Sequence, residues 1–443
     1  MRGSALRRED EGYEAARRAT LWNARTPALF PDTIVRPRDE EDVLAAVRVA
    51  REQGMRIAVR SGGHSWAGNH VRDGGMLIEL CDLQEALIDT EARSAAIGPG
   101  CVGTDLLARL AEQDLFFPGG HCKGVALGGY LLQGGFGWNG RVHGPACMSV
   151  HAIDVVTAAG ELVRADAEHH SDLYWAARGS GPGFFGVVTR FHLRVYERPK
   201  VIASCAYLYP AELLEEVFAW AHEIGPRVAR TVELMLLIHR DDAGELEVGV
   251  TGPALCGTEE EAREALALLQ SCPVLERAKV ALPYFPATFE DFFAGSGAIY
   301  PDDHRWVTDN MWTHSPVADL LPGLRRIADT LPEWPSHMLW MNWGASPPRP
   351  DMAYSVEDET YIAVYGATAD PGRDGAIAEW STERMREMES FSTGIQLADE
   401  NLGRRPARFV SDENLRRLDE VRAAYDPDGV FHPWMGRPWA PPR

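Results

Sequence analysis

The chain has 443 residues, 45% hydrophobic and 25% charged, long enough for two or three domains with sizeable cores. A formal net charge of −21 argues against nucleic acid or an anionic membrane surface as a partner. No apolar run reaches the roughly 18–20 residues of a membrane span. The N-terminus lacks the apolar segment of a signal peptide. Seven scattered cysteines, an odd number with no CxxC or Cys/His cluster, indicate no metal site and fit a reducing cytoplasm.

In chain order, residues 33–59 read as β-α-β. Asp39 is placed to cap a helix whose apolar positions Val43, Val47 and Ala50 recur at helical spacing, and Gly54 ends it. The strand at 56–59 leads into Arg60-Ser61-Gly62-Gly63-His64-Ser65, a run almost free of bulky side chains. Strands follow at 76–80 and 95–97, then a helix capped by Thr104 and running to Gln113. Residues 119–137 are too glycine-rich for an ordinary helix or strand, and Cys122 sits near their head. Strands at 153–157 and 187–195 flank a helix around Trp175. The composition shifts near 196–200.

Past that point the order of elements repeats. Strand 201–208, helix 211–223, strands 231–239 and 245–251 and helix 258–270 form one unit. After an aromatic stretch read as irregular (283–303), strand 304–313, helix 317–330, strands 336–344 and 359–368 and helix 373–389 form another. Such a pattern predicts an antiparallel sheet with helices on one face. A helix at 412–424 closes the chain.

The chemistry concentrates in the two glycine-rich segments. Successive backbone N–H groups of Arg60, Ser61, Gly62, Gly63 and Ser65 can converge on a phosphate oxygen. His64 stands where that backbone comes closest to a bound group. His121 reads as no more than a neighbour of Cys122. Strand alternation supplies further candidates. Val232, Leu234, Leu236 and Ile238 face the helices, so Glu233 faces the opposite way. The same reasoning puts Asn310, Trp340, Asn342 and Tyr365 on that opposite face, with Tyr365 or Glu233 as a general base. The abundance of tryptophan fits an aromatic substrate as well as it fits a core.

These motifs resemble the berberine bridge enzyme-like flavoproteins of the vanillyl-alcohol oxidase/p-cresol methylhydroxylase superfamily. The match rests on the GGH run and on Cys122 with Val125, Gly128 and Gly129 in register behind it. Asp172-Leu173-Tyr174-Trp175, Phe185-Gly186-Val187-Val188 and Tyr425-Asp426-Pro427 extend it. The resemblance implies an α+β fold, with a two-part FAD-binding domain (1–197 and 406–443) and an antiparallel-sheet substrate domain (198–405) that roofs the flavin. It implies FAD joined covalently to His64 through the 8α-methyl and to Cys122 through ring position C6. Gly120, Val125, Gly128, Gly129, Gly134, Gly135, Gly137 and Val187 would line the cofactor. Val125 would leave the flavin open to O2.

One departure stands out. The family's Tyr-x-Asn element is here Gly394-Ile395-Gln396, with Gln396 at the asparagine position, so the proton acceptor lies elsewhere or is not needed. The expected activity is an FAD-dependent oxidase that takes hydride from an alcohol, phenol or amine and passes electrons to O2, giving H2O2. A dehydrogenase, an oxidative cyclase and a redox-inactive ligand-sequestering flavoprotein fit the same residues. Nothing in the residues bears on oligomeric state.

Overall fold

The computed structural model describes residues 2–344 and 346–436. Strands Thr33–Arg36, Met76–Glu79 and Ile57–Arg60 form a parallel sheet, with Ser4–Arg7 added antiparallel at its edge. The crossover helix Glu40–Glu52 is capped by the Asp39 side chain on the Asp42 N–H, and Gly54 follows it at φ +65. A five-stranded antiparallel sheet built on Gly186–Arg194 and Val150–Thr157 stands beside this one. Val43, Val47, Ile57, Ile153, Val187 and Phe191 close one core between them. The helix expected from Thr104 is Gly103–Ala111. Its N-cap is Val102, with no side-chain cap, so the strand-to-helix turn is set by the backbone bond from Gly103 to the Val125 carbonyl at 2.9 Å.

The repeated units form one eight-stranded antiparallel sheet. Its central strands run in the order Val201–Pro210, Leu246–Thr251, Leu234–Arg240, His337–Asn342, Thr360–Thr368, Arg305–Thr313. Numbered by unit, that order is 1-3-2-2-3-1. The two units are therefore related by a pseudo-twofold axis and meet where Leu236 faces Trp340. Helices Leu214–Ile224, Glu259–Ala267, Val317–Thr330 and Asp374–Glu387 cover one face, burying Leu236, Ile238, Ile362 and Val364. Ala254–Cys256 and Val280–Pro286 extend the sheet beside Val201–Pro210.

The stretch read as irregular contains a further helix, Phe289–Ile299, with a capping box between Thr288 and Asp291. Its Gly295 and Gly297 break the periodic signal that the eye seeks. The chain re-enters the first core ahead of the expected return at 406, since Ile395, Leu397 and Leu402 already pack there. Helix Asp412–Tyr425 follows, and Phe431 bridges to Ile57. Among the described residues no helix is long and apolar enough to cross a membrane, and all seven cysteines are free thiols.

Candidate active site

The uncovered face of the large sheet and the glycine-rich segments enclose one long cavity of about 520 Å³. That lies within the range of about 300–1,000 Å³ typical of small-molecule sites. Arg60, Ser61, Gly62, Gly63, His64 and Ser65 line one wall, with Gly120, Cys122, Val125, Gly128 and Gly129 beside them. Gly63 needs its glycine: at φ +76, a Cβ would stand 2.1 Å from the Thr20 carbonyl oxygen. His64 makes no hydrogen bond to the described residues. Its ring stacks on Trp22 at 4.9 Å. Burial, and then the nearby Arg60 charge, lowers its pKa to about 4, so the imidazole is neutral. The Arg60 guanidinium is committed to Glu79 at 2.8 Å and to the Thr20 and Gly62 carbonyls, which leaves the backbone rather than that side chain to meet a ligand.

Gly124 fixes the distance between the two motifs. At φ +77 its missing Cβ would sit 3.2 Å from His64 Nε2. Gly124→Ala should therefore strain the backbone and press on the imidazole. The expected result is a sharp fall in flavin bound per chain, read from the visible absorbance of purified protein. Full loading would show that the loop yields.

Three glycines expected along the cofactor do other work. Gly134 packs against Tyr354, Gly135 against Ala146 and Tyr130, and Gly137 against the Gly119 carbonyl and Tyr130. Val187 is likewise turned into the first core, while its strand neighbours Gly186 and Val188 line the cavity. The side-chain period of two makes this a one-residue error of parity.

Beside these walls the cavity is aromatic. Trp66, Tyr300, Tyr361, Tyr365 and Phe136 line it, and the Asp399 carboxylate sits among them. Asp399 accepts the Trp66 indole N–H at 2.6 Å, the Tyr365 hydroxyl at 3.1 Å and the Tyr361 hydroxyl. Burial raises the Asp399 pKa against the pull of those donors. The three tyrosines are also pushed well above the ordinary phenol value, chiefly by burial. The acidic position comes from a segment that wraps the edge strand Arg305–Thr313. Thr393 and Gly394 pair with Trp312, and Asn310 holds the Gln396 and Asp399 carbonyls at 3.0 and 2.8 Å.

Of the candidate catalytic residues, Tyr365 lines the cavity. Asn310 is fully buried and braces the Asp399 segment. Gln396 is buried beneath it, with its backbone N–H on Asn310 Oδ1 at 2.7 Å. Glu233 stands one layer back, accepting the Asn139 N–H at 2.7 Å and pairing with His121 Nε2 at 2.9 Å. His121 is thus more than a neighbour of Cys122. Trp340 and Asn342 must be corrected: both face the helices. Trp340 packs on Phe218, and its indole N–H donates to Asn342 Oδ1 at 2.9 Å. Directly opposed residues of an antiparallel pair share a face, and Trp340 opposes both Leu236 and Ile362. Leu339 and Met341 line the cavity in their place. Asp399 and Tyr361 complete the polar cluster. The signal for Asp399 was an acid directly after Leu397 and Ala398.

A flavin dinucleotide fits what lines the cavity. Gly129 has nothing within 4 Å of where a Cβ would stand, so the floor is open to a flat ligand. Among the described residues Asn69 Oδ1 and His70 Nε2 have no hydrogen-bond partner although both are buried at the wall, where they suit the hydroxyl and N–H donors of a nucleotide.

Comparison with known proteins agrees. The family profile described as FAD binding domain matches residues 31–166. FAD-linked oxidoreductase nodO of Hypoxylon pulicicidum is 33% identical over 433 residues, covering 94% of this chain and 93% of that protein. (R)-6-hydroxynicotine oxidase of Paenarthrobacter nicotinovorans is 34% identical over 200 residues, 45% of this chain and 43% of its own. The crystal structure of 6-hydroxy-D-nicotine oxidase from Arthrobacter nicotinovorans superposes with a TM-score of 0.84 at 24% identity, covering 98% of each chain, a likeness of fold. The chain is an FAD-dependent oxidoreductase and belongs to the family of FAD-linked oxidoreductases, with the fold of the berberine bridge enzyme-like flavoproteins.

Proposed function

We propose that the chain is an oxidase carrying FAD joined to both His64 and Cys122, acting on a small molecule with an aromatic portion. One observation carries this reading. His64, Cys122 and the Asp399–Tyr365 pair line a single cavity, so a ring held by the first two would be flanked by a proton acceptor. The cofactor supplies a hydride acceptor and, once reduced, a route to O2.

The protein's part is binding and proton transfer. Trp66, Phe136, Tyr300 and Tyr361 present ring faces and edges to a flat substrate. Tyr365 donates its own proton to Asp399, so its oxygen, which also neighbours the Tyr300 and Tyr361 hydroxyls, can accept one from a substrate hydroxyl or amine. A free tyrosinate is disfavoured by burial, which makes Asp399 the final seat of the proton. The names of the nicotine relative and of xylooligosaccharide oxidase of Thermothelomyces thermophilus, 36% identical over 199 residues, support O2 as acceptor.

The test is a panel of alcohols, phenols, amines and oligosaccharides, scored first by anaerobic bleaching of the flavin and then by peroxide on admitting air. Bleaching without peroxide would point to a dehydrogenase. No bleaching with any ligand that perturbs the flavin spectrum would point to a sequestering protein. Val125 lines the cavity three residues past Cys122. Val125→Leu should slow reoxidation by O2 about tenfold or more while leaving anaerobic reduction nearly intact. Equal slowing of both steps would mean that it shapes substrate binding instead.

A further inference from the structure

Cys122 presents a problem that its surroundings answer. A cysteine must lose its proton to act as a nucleophile, and burial pushes this thiol up to about 12. Something at the cavity has to accept that proton. Burial pushes His64 down to about 4, which makes it a poor proton acceptor. Asp399 is held by the Trp66 indole and the Tyr361 and Tyr365 hydroxyls, where it serves the substrate proton. His121, next in the chain, lines the same cavity and is the histidine there that pairs with a carboxylate among the described residues.

The His121 ring is held as a base would be. Glu233, 1% exposed, engages Nε2 at 2.9 Å, while its other oxygen is fixed by the Asn139 N–H at 2.7 Å. Trp138 stands against the ring edge-on at 4.2 Å. With Nε2 donating to the Glu233 carboxylate, Nδ1 is the nitrogen that carries a lone pair, and it has no partner among the described residues. A carboxylate that fixes one imidazole nitrogen so that the other can take a proton is the arrangement that activates hydroxyl and thiol nucleophiles generally. The charged and titratable groups around His121 are Glu233, Cys122, Asp399 across the cavity and Arg141 behind Glu233.

We propose that the Glu233–His121 pair is the base that takes the Cys122 Sγ proton when this cysteine is joined to the flavin. The inference rests on the reading that Cys122 carries such a link. In the step, the S–H bond and one ring C–H bond break and an S–C bond forms. Two electrons leave through the flavin to dioxygen, so that thiol, ring C–H and O2 give thioether and H2O2. His121 is catalytic toward this self-modification, and Glu233 is a positioning residue.

The test reads attachment directly. Full-length wild type, His121→Ala, His121→Gln and Glu233→Gln are purified, denatured and mapped by mass for flavin on the His64 and Cys122 peptides, with a time course in air. Wild type should carry flavin on both. The His121 variants should hold flavin through His64, which certifies their fold, and should join Cys122 about 10²-fold more slowly or worse. Added imidazole, or alkaline pH that ionises the thiol unaided, should restore the link in His121→Ala, which a purely structural role would not allow. Cys122 joined at the wild-type rate in the His121 variants, or no rescue by imidazole or by pH, overturns the proposal. Wild type joined only at His64 overturns the two-link reading itself, and the proposal with it.

Discussion

Asp399→Asn should lower the rate of anaerobic flavin reduction by a factor of about 10²–10⁴, the usual cost of losing a general base. Asparagine keeps the size, but its single amide oxygen can accept from the Trp66 indole on one side or from the Tyr361 and Tyr365 hydroxyls on the other, and it cannot take a proton. Tyr365→Phe should fall in the same range, because it removes the oxygen through which the substrate reaches Asp399. If the two form one relay, the double variant should cost little more than the worse single one, since residues acting as a unit are not additive. Flavin content should be unchanged in all three, because neither side chain belongs to the His64 or Cys122 walls. Stopped-flow reduction by whichever substrate bleaches the flavin is the measurement. Additive losses would mean that Asp399 and Tyr365 serve separate steps. A wild-type rate in Asp399→Asn would mean that the substrate gives up its hydride without a base from this cluster.

How far the sequence leads depends on the kind of signal each residue sends. Helical spacing and glycine runs are local, and they located the Glu40–Glu52 helix, the GGH turn and the element order of both repeats. Which way a strand faces is local only when apolar and polar residues alternate. Leu234, Leu236 and Ile238 give that alternation, and their inward facing agrees with the structure. His337–Asn342 offers His, Met, Leu, Trp, Met and Asn, amphipathic on both sides, so only the pairing of Trp340 with Leu236 fixes its parity. The Asp399 segment has no period at all. Its conformation is dictated by a strand it wraps, some ninety residues earlier in the chain, through the 2.8 Å bond from Asn310. The Glu233–His121 pair joins residues 112 positions apart and leaves no mark in either neighbourhood.

That dependence on distant contacts has a second large consequence. The Asp399 segment is pinned at its far end by Arg405, 4% exposed at the side chain, whose guanidinium donates to both oxygens of Asp309, 1% exposed. The same arginine donates to the Asn310 carbonyl at 2.8 Å, and Asn401 adds a bond to Asp309 at 3.0 Å. Arg405→Met should destabilise the protein by about 3–5 kcal/mol, because it leaves Asp309 as an uncompensated buried charge. Burial already raises the Asp309 carboxyl pKa, and Arg405 opposes the rise. Without the arginine it must climb further. A carboxyl whose folded pKa exceeds its unfolded one binds its proton more tightly in the folded state, so stability falls as pH rises between the two values. The deficit of Arg405→Met should therefore be larger at pH 8 than at pH 5 in urea unfolding. Adding Asp309→Leu should recover most of it, since removing both partners of a buried pair is far less damaging than removing one. Yet the recovered double variant should still turn over slowly, because the bonds from Arg405 and Asn401 that tie the Asp399 segment to Asp309 and Asn310 of the edge strand, and so place Asp399 against Tyr365, are gone. A double variant with both stability and rate restored would show that the edge strand alone is enough to place the base.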